Sequence, residues 1–491
     1  MMNRISVLIS NFLDRVLHTV PVAGSLAGAG LFALLFTHAA SAAAAGSNVK
    51  PAAVPCTFSD ADFDPAGDVH ALDEYRDAIG QLLKQGEFAQ LDCLADAARA
   101  GKTRFSGGAW KLRYIYLGLD SPHPGHPTQE DWSQHFVLME RWKKQNPRSI
   151  TVTIALAESY VSYAWDARGN GYSESVSDSG WKLMGERAAK AKAILDGSSD
   201  LANKCPDWYI AVQEVGQAQS WDLAQARALY EKAIAFEPGY QYYYRIFAEY
   251  LQPKWSGQEG DAARFGEEAA NKVGGDAGDA LYYWIADTIL CACQDPEFSH
   301  FSWPRAQKGF AAIEKQYGPS MVMVNSYALM ATKYQDWVLA DSLFKRIGDQ
   351  WNEGKWVTEG FFKGERDIAA QVAPMQAKAR AFRLEAEENM KSAEGQAYRV
   401  AFDPKLAVFE QPCLSEINGD PSRFELLVEV GENGAANEAH TEAQPNAFAM
   451  CIMKGVYAAY LKKETPFPPP PKVPYRMILE IDPTTISAAV K

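Results

Sequence analysis

The stretch WDLAQARALYEKAIAFEP, residues 221–238, decides the fold of this chain. Its apolar residues recur at steps of three and four, which is the period of an amphipathic helix. Ala226, Tyr230 and Ala233 fall on one face, where the small residues let a neighbouring helix approach and the tyrosine fills the remaining space. Pro238 ends the helix. The stretch therefore predicts a helix that packs against other helices.

The same steps of 4, 3 and 5 residues recur three times downstream, and the starts of the four sets lie 36, 44 and 34 residues apart. This pattern resembles the second helix of a tetratricopeptide repeat, whose helix pairs stack with a period of this length. The first helices fit less well, because Gln213 and Glu214 stand where apolar residues are expected. We therefore expect a mainly α fold with an irregular, tetratricopeptide-like helical array over residues 68–373; the alternative is a helical domain without repeats. The further sets are Ala262, Gly266, Ala269 and Gly274; Ala306, Phe310, Ile313 and Gly318; and Ala340, Phe344, Ile347 and Asn352.

The composition agrees with a large folded chain. With 47% hydrophobic residues, the 491-residue chain can bury an extensive core, which excludes global disorder. Its length favours two or more units, or one extended array. Its formal charge of −13 argues against a nucleic-acid binder that neutralises phosphates.

Aromatic residues are dense in the array, as in residues 240–247, YQYYYRIF. Consecutive aromatic residues do not share one helix face, so some of them pack between helices or line a groove. A groove lined by residues such as Tyr243 and Trp255 would bind a peptide or a sugar.

Four stretches are similar to the bacterial domain-of-unknown-function 4034 family, and the resemblance extends over about residues 75–350. It implies a helical-repeat domain of undetermined role and transfers no catalytic residues. The four stretches are LLKQGEFAQLD at 82–92, WDARGNGY at 165–172, CPDWY at 205–209 and PKWSG at 253–257.

The segment from Trp165 to Trp181 interrupts the helical pattern. Its residues 168–171, RGNG, suit a backbone with positive φ. We expect either a loop pinned by tryptophans or a small polar and aromatic pocket. The candidate binding residues are Trp165, Asp166, Arg168, Tyr172, Trp181, Tyr243 and Trp255.

A different module ends the chain. Mixed charges over residues 374–400 predict a solvated helical connector. Beyond it, residues 424–430 read as a strand, residues 431–434, GENG, as a turn, and residues 435–439 as a returning strand. A helix over 446–462, a proline run at 466–471 and a last strand over 475–481 follow. The proline run is a rigid connector or, alternatively, a polyproline II ligand.

This ββαβ order, with Phe467-Pro468 after the helix, resembles the TonB C-terminal domain superfamily over about residues 413–482. The resemblance is to the variants with one cysteine before the first strand and one in the helix, which implies a Cys413–Cys451 disulfide. It also implies a small α+β domain over residues 401–491 that meets partner proteins, often by edge pairing. No proline-rich rod precedes the module, so coupling to outer-membrane transporters is not expected.

The N-terminus predicts export. An uncharged apolar run over residues 20–45 contains the Ala40-Ser41-Ala42 cleavage signature, so residues 1–42 read as a signal peptide and 43–67 as a flexible linker. The alternative is an uncleaved membrane anchor. The seven cysteines all follow this segment and would meet an oxidising compartment, where disulfides persist. We expect Cys291 and Cys293, separated by one residue, to be two small apolar residues on a buried helix.

Motifs for chemistry are absent from the sequence. His123 and His126 lie in a proline-rich loop without further ligands, and the acidic residues follow what we interpret as solvated helix faces. We therefore expect no metal, no cofactor and no catalytic residue. The sequence predicts a non-enzymatic, periplasmic scaffold that binds a protein or peptide, contacts no nucleic acid, and meets a membrane only through its N-terminus. The alternative is a cell-envelope enzyme or a carbohydrate- or peptide-binding protein with a pocket near Trp165–Trp181.

Overall fold

The computed structural model describes residues 56–122, 127–169, 171, 173–291, 296–417, 423–441 and 446–483. These residues belong to one compact unit. The predicted signal peptide, most of the linker, His123, His126, Tyr172 and Cys293 lie outside the described residues. Among the residues described, no helix is long and apolar enough to cross a membrane.

The described part of the chain is mainly helical and carries a small antiparallel sheet near its C-terminus. The first seven helices are α1 (Ala71–Gln85), α2 (Phe88–Gly101), α3 (Lys111–Leu117), α4 (Gln129–Gln145), α5 (Ile150–Arg168), α6 (Asp178–Asp196) and α7 (Pro206–Ala218). The next eight are α8 (Leu223–Phe236), α9 (Tyr242–Tyr250), α10 (Asp261–Val273), α11 (Gly275–Ile289), α12 (Trp303–Tyr317), α13 (Met321–Lys333), α14 (Trp337–Ile347) and α15 (Glu353–Trp356). The remainder are α16 (Glu359–Lys391), α17 (Ala393–Glu410), β1 (Phe424–Val430), β2 (Ala436–His440), α18 (Ala447–Leu461) and β3 (Tyr475–Ile481).

Helix α8 forms where the sequence predicts it. Asp222 caps its start by accepting a hydrogen bond from the amide of Gln225, whose side chain in turn accepts one from the Asp222 amide. Helices α10, α12 and α14 correspond to the three further sets of the same spacing. The small and apolar members of all four sets that lie within these helices are buried. The spacing therefore identifies four helices and the face that each one buries, while a repeat relationship among them stays a prediction.

The two ends of the helical region contact each other. The amide of Met321 donates to the carbonyl of Pro65 at 2.7 Å, and the Val69 amide donates to the side chain of Gln350 at 3.0 Å. In a repeat array each unit contacts only its neighbours. Contacts across more than 250 residues therefore distinguish this region from a simple solenoid.

The turn over residues 104–110 lies against later helices of the same region. The Gln241 side chain donates to the carbonyl of Gly108 at 3.1 Å, and Arg104 donates to the carbonyl of Gly239 at 2.9 Å. The Arg104 guanidinium also lies over the rings of Trp110 and Tyr317. The turn thus covers this part of the surface of the helical region.

Helix α16 differs from the expected solvated connector. It runs through the predicted boundary at residue 374 and contains Pro374. Its residues Phe382 and Ala386 are buried against Leu427 and Ile478 of the sheet. Most of the mixed charges stand on the flanks of this buried stripe, which explains why the sequence pattern looked solvated.

Two of these flanking charges reach the strands. Arg383 pairs with Glu425 of β1, and Glu385 pairs with Arg476 of β3 at 2.8 Å. The second half of the helix is therefore part of the C-terminal module and covers one face of its sheet, whereas Phe362 and Ala369 in the first half are buried in the core of the helical region.

The strands have the order β2-β1-β3, and both pairings are antiparallel. In the connecting turn Asn433 and Gly434 adopt φ of 57° and 82°, and a Cβ at Gly434 would collide with the carbonyl of Phe467. Helices α17 and α18 cover the second face, where Phe402 and Phe448 pack on Val428. The predicted ββαβ order is observed, and both faces of the sheet are covered.

Most of the described cysteines form disulfide bonds. Cys413 pairs with Cys451, as the resemblance to the two-cysteine modules implies, and Cys56 pairs with Cys93. Cys291 is also disulfide-bonded and follows the end of α11, so the expectation of an apolar cysteine on a buried helix is wrong for it. Disulfides indicate an extracellular or periplasmic location.

Candidate functional site

Three tryptophans from different segments meet at the surface. Trp165 and Arg168 end α5, Trp181 lies in the first turn of α6, and Trp255 follows α9. The Arg168 guanidinium carbon lies 5.6 Å from the ring centre of Trp165 and 5.3 Å from that of Trp181. Trp255 meets Trp165 edge to face with ring centres 6.0 Å apart. We call these four residues the tryptophan patch.

Local structure holds the tryptophan patch in place. Gly169 ends α5 with φ of 74°, and the Arg168 side chain donates to the carbonyls of Gly169 and Gly171 at 3.1 and 3.0 Å. A guanidinium placed over indole rings gains a cation–π attraction. Trp181 and Trp255 nevertheless remain 42% and 40% exposed. Aromatic residues therefore hold the loop in place, which is one of the two arrangements expected from the sequence. The region still presents indole surface to solvent.

Asp166 contacts a different group from its neighbour Trp165. Its carboxylate lies 3.9 Å from the guanidinium of Arg187, which donates to the carbonyl of Tyr163. A groove of about 400 Å³ opens here, between α5 and α6. The groove is lined by Gln129, Tyr163, Asp166, Ala167, Leu183, Glu186, Arg187 and Lys190.

Tyr243 does not belong to a surface site. It is fully buried, and its hydroxyl donates to the carbonyl of Pro206 at 3.0 Å. Its neighbours Tyr240 and Tyr244 are buried as well. For most of residues 240–247, the aromatic residues therefore pack between helices rather than line a groove.

A buried charge cluster lies between helices α3, α5 and α7. The Arg113 guanidinium donates to Glu158 at 2.7 Å, to Asp207 at 3.3 Å and to Glu214 at 2.9 Å. The hydroxyl of Tyr240 donates to Asp207 at 2.7 Å. We call Arg113 and its three carboxylates the Arg113 cluster.

Burial controls the protonation of the Arg113 cluster. It raises the pKa of Glu158 well above the usual range and also raises the pKa of Asp207 and of Glu214, although Arg113 opposes each shift. Burial alone would lower the pKa of Arg113, but the three carboxylates hold it well above its usual value. The three buried carboxyls therefore hold their protons to higher pH than carboxyls in water do.

Solvent barely reaches this cluster. The side chain of Glu158 is 1% exposed, and that of Glu214 is 24% exposed. Buried charges that pair with one another in this way act directly on stability. The expectation that the acidic residues follow solvated faces is wrong for these three carboxylates.

Sequence reasoning missed the Arg113 cluster because its three carboxylates lie 45 to 101 residues from Arg113. One signal was present, since Glu214 stands at a position where the helix pattern asks for an apolar residue. Within the described ranges no three His, Cys, Asp or Glu side chains are grouped to hold a metal ion. The described candidate binding residues thus lie in three places: the tryptophan patch, the groove between α5 and α6, and, for Tyr243, the core.

Comparison of the chain with models of known families, with curated proteins and with solved structures found no match. The resemblances to the domain-of-unknown-function 4034 family and to the TonB C-terminal superfamily therefore stay predictions.

Proposed function

We propose that this protein is an exported, non-enzymatic scaffold that binds a protein partner through the tryptophan patch. The observation that carries the proposal is the pair of partly exposed indoles beside the pinned guanidinium of Arg168. Tryptophan and arginine are the residues most enriched among interface hot spots. Because backbone carbonyls already hold Arg168, the patch would lose little conformational entropy on binding.

The compartment follows from the cysteines. The disulfides Cys56–Cys93 and Cys413–Cys451 favour the extracellular or periplasmic space. Together with the N-terminal apolar run, they support export to the periplasm.

The C-terminal module would bind a second partner, as its resemblance to TonB C-terminal domains implies. Its β3 edge is less suited to strand addition than expected. The side chain of Asn389 donates to the carbonyl of Arg476, and that of Arg399 donates to the carbonyl of Ile478. These side chains occupy backbone acceptors that an added strand would need.

A photo-crosslinking experiment tests the role of the tryptophan patch. A photoreactive phenylalanine analogue replaces Trp181 or Trp255 in the full chain, expressed in its exporting host. We expect a discrete crosslinked partner at both positions. The same analogue at Val137, which is also exposed, is the matched control and should give none. Equal crosslinking at all three positions, or none at either tryptophan, would contradict the proposal.

The groove beside Asp166 favours a second candidate function, the binding of a carbohydrate or short peptide. Its volume of about 400 Å³ and its mixed polar and tyrosine lining suit a small polar ligand. Calorimetric titration with cell-envelope oligosaccharides tests this alternative. Asp166→Asn and Lys190→Ala should weaken such binding, whereas Trp255→Ala should not.

A further inference from the structure

Helix α18 is apolar on both of its faces. Phe448, Ile452 and Val456 are buried against the sheet. On the outer face, Tyr457 and Leu461 are 61% and 63% exposed. A helix that is hydrophobic all round is normally covered on every side, so the outer face of α18 lacks its cover within the described chain.

The outer face has a regular composition. Met450, Lys454, Tyr457 and Leu461 follow one another at steps of four, three and four, which places them along one side of the helix. The ring of Tyr460 stacks on that of Tyr457 with centres 6.2 Å apart. We call these five residues the α18 outer face.

The charge of this region opposes that of the rest of the protein. The chain carries a formal charge of −13, yet no acidic residue occurs from Asn446 to Lys463. Three lysines are exposed here, Lys454, Lys462 and Lys463, and none of them forms an ion pair among the described residues, although the exposed Glu464 follows directly. A basic rim around exposed tyrosine and leucine side chains complements an anionic surface.

We propose that the α18 outer face docks on an anionic lipid surface. Tyrosine rings prefer the level of lipid headgroups, Leu461 and Met450 would enter the acyl boundary, and the lysines would meet the phosphates. A second copy of the chain fits less well, because a two-fold interface would bring the same lysines together. The proposal is independent of the tryptophan patch, which lies in the helical region.

Vesicle flotation tests the proposal. Residues 54–491, the compact unit, are mixed with phosphatidylglycerol vesicles or with phosphatidylcholine vesicles at low salt. We expect flotation with the anionic vesicles, none with the neutral vesicles, and release at 0.5 M salt, because salt screens exposed charges. Lys462→Glu with Lys463→Glu should weaken partitioning by at least about 30-fold, since each lysine near the surface contributes a factor of about five and each glutamate adds repulsion.

Matched variants distinguish an effect of the α18 outer face from an effect of the protein's overall charge. Tyr457→Ser with Leu461→Ser should abolish flotation, whereas Lys232→Glu with Lys272→Glu on helices α8 and α10 should leave it unchanged. Because these side chains are exposed, circular dichroism should show the fold intact in every variant.

Any of three flotation results would overturn the proposal: no flotation of the parent protein with phosphatidylglycerol, equal flotation of the α18 variants, or equal loss in the Lys232/Lys272 variant. A parent dimer that the Tyr457/Leu461 variant converts to a monomer would also overturn it, in favour of a second copy on this face.

Discussion

Replacing Arg113 with methionine should destabilise the protein in a pH-dependent way. The substitution keeps the apolar stem and removes the guanidinium that donates to Glu158, Asp207 and Glu214. Breaking a buried ion pair by removing one partner costs about 3–5 kcal/mol, because the remaining charge is left uncompensated. At pH 8 we expect a loss of stability of that size.

At pH 5 the loss should be smaller. Burial raises the pKa of all three carboxyls in the folded protein, so the protons they hold contribute stability that is complete below the unfolded pKa of about 4. That contribution is lost as the pH rises through the folded pKa values. Protonated carboxyls need no cation, so the variant then leaves no buried charge uncompensated and loses only the hydrogen bonds that Arg113 donates.

Urea unfolding of residues 54–491, followed by tryptophan fluorescence at both pH values, measures the difference. With a slope of about 3 kcal/mol per molar, the midpoint should fall by roughly 1–1.7 M at pH 8 and by clearly less at pH 5. Arg264→Met is the control: that residue is 64% exposed and pairs with Asp261, so it should change stability by under about 0.5 kcal/mol at either pH. An equal loss at the two pH values would refute the reasoning about protonation.

Two further outcomes are expected. Replacing Cys413 and Cys451 with alanine should lower the stability of the C-terminal module by about 2–4 kcal/mol, because the bond closes a loop across 38 residues. Thermal unfolding should show this difference without reductant, and reductant, which also breaks the other disulfides, should bring the parent and the variant to the same stability. Asn389→Ala should cost about 1–3 kcal/mol by removing the donor to the carbonyl of Arg476, and hydrogen exchange should rise in β3 while that in α8 stays constant.

The sequence predicts the local elements of this fold well. The spacing of Ala226, Tyr230 and Ala233 identifies α8 because a helix face depends only on residues three and four apart. The turn at Asn433 likewise defines its hairpin, since few residues tolerate positive φ. Each of these signals depends only on residues that are close in sequence, so the sequence alone contains it.

Contacts between distant segments are harder to read. Trp165, Arg168 and Trp181 were predicted together because they are close in sequence, and Trp255 joins them in the structure. The pairing of Arg113 with Glu158 depends on how α3 and α5 pack, which no local pattern records. The sequence does not predict the full length of α16 for a related reason. The buried stripe of this helix is narrow, and the charged residues beside it dominate the composition of the segment.

The contact between Pro65 and Met321 has a consequence for how the chain reaches its folded state. The first helices cannot complete their packing until residues 317–350 have been synthesised, because those residues supply part of their surroundings. Closing a loop of this length delays the formation of long-range contacts. Until these contacts form, the leading helices are incompletely packed, and apolar surface that the finished fold buries stays exposed.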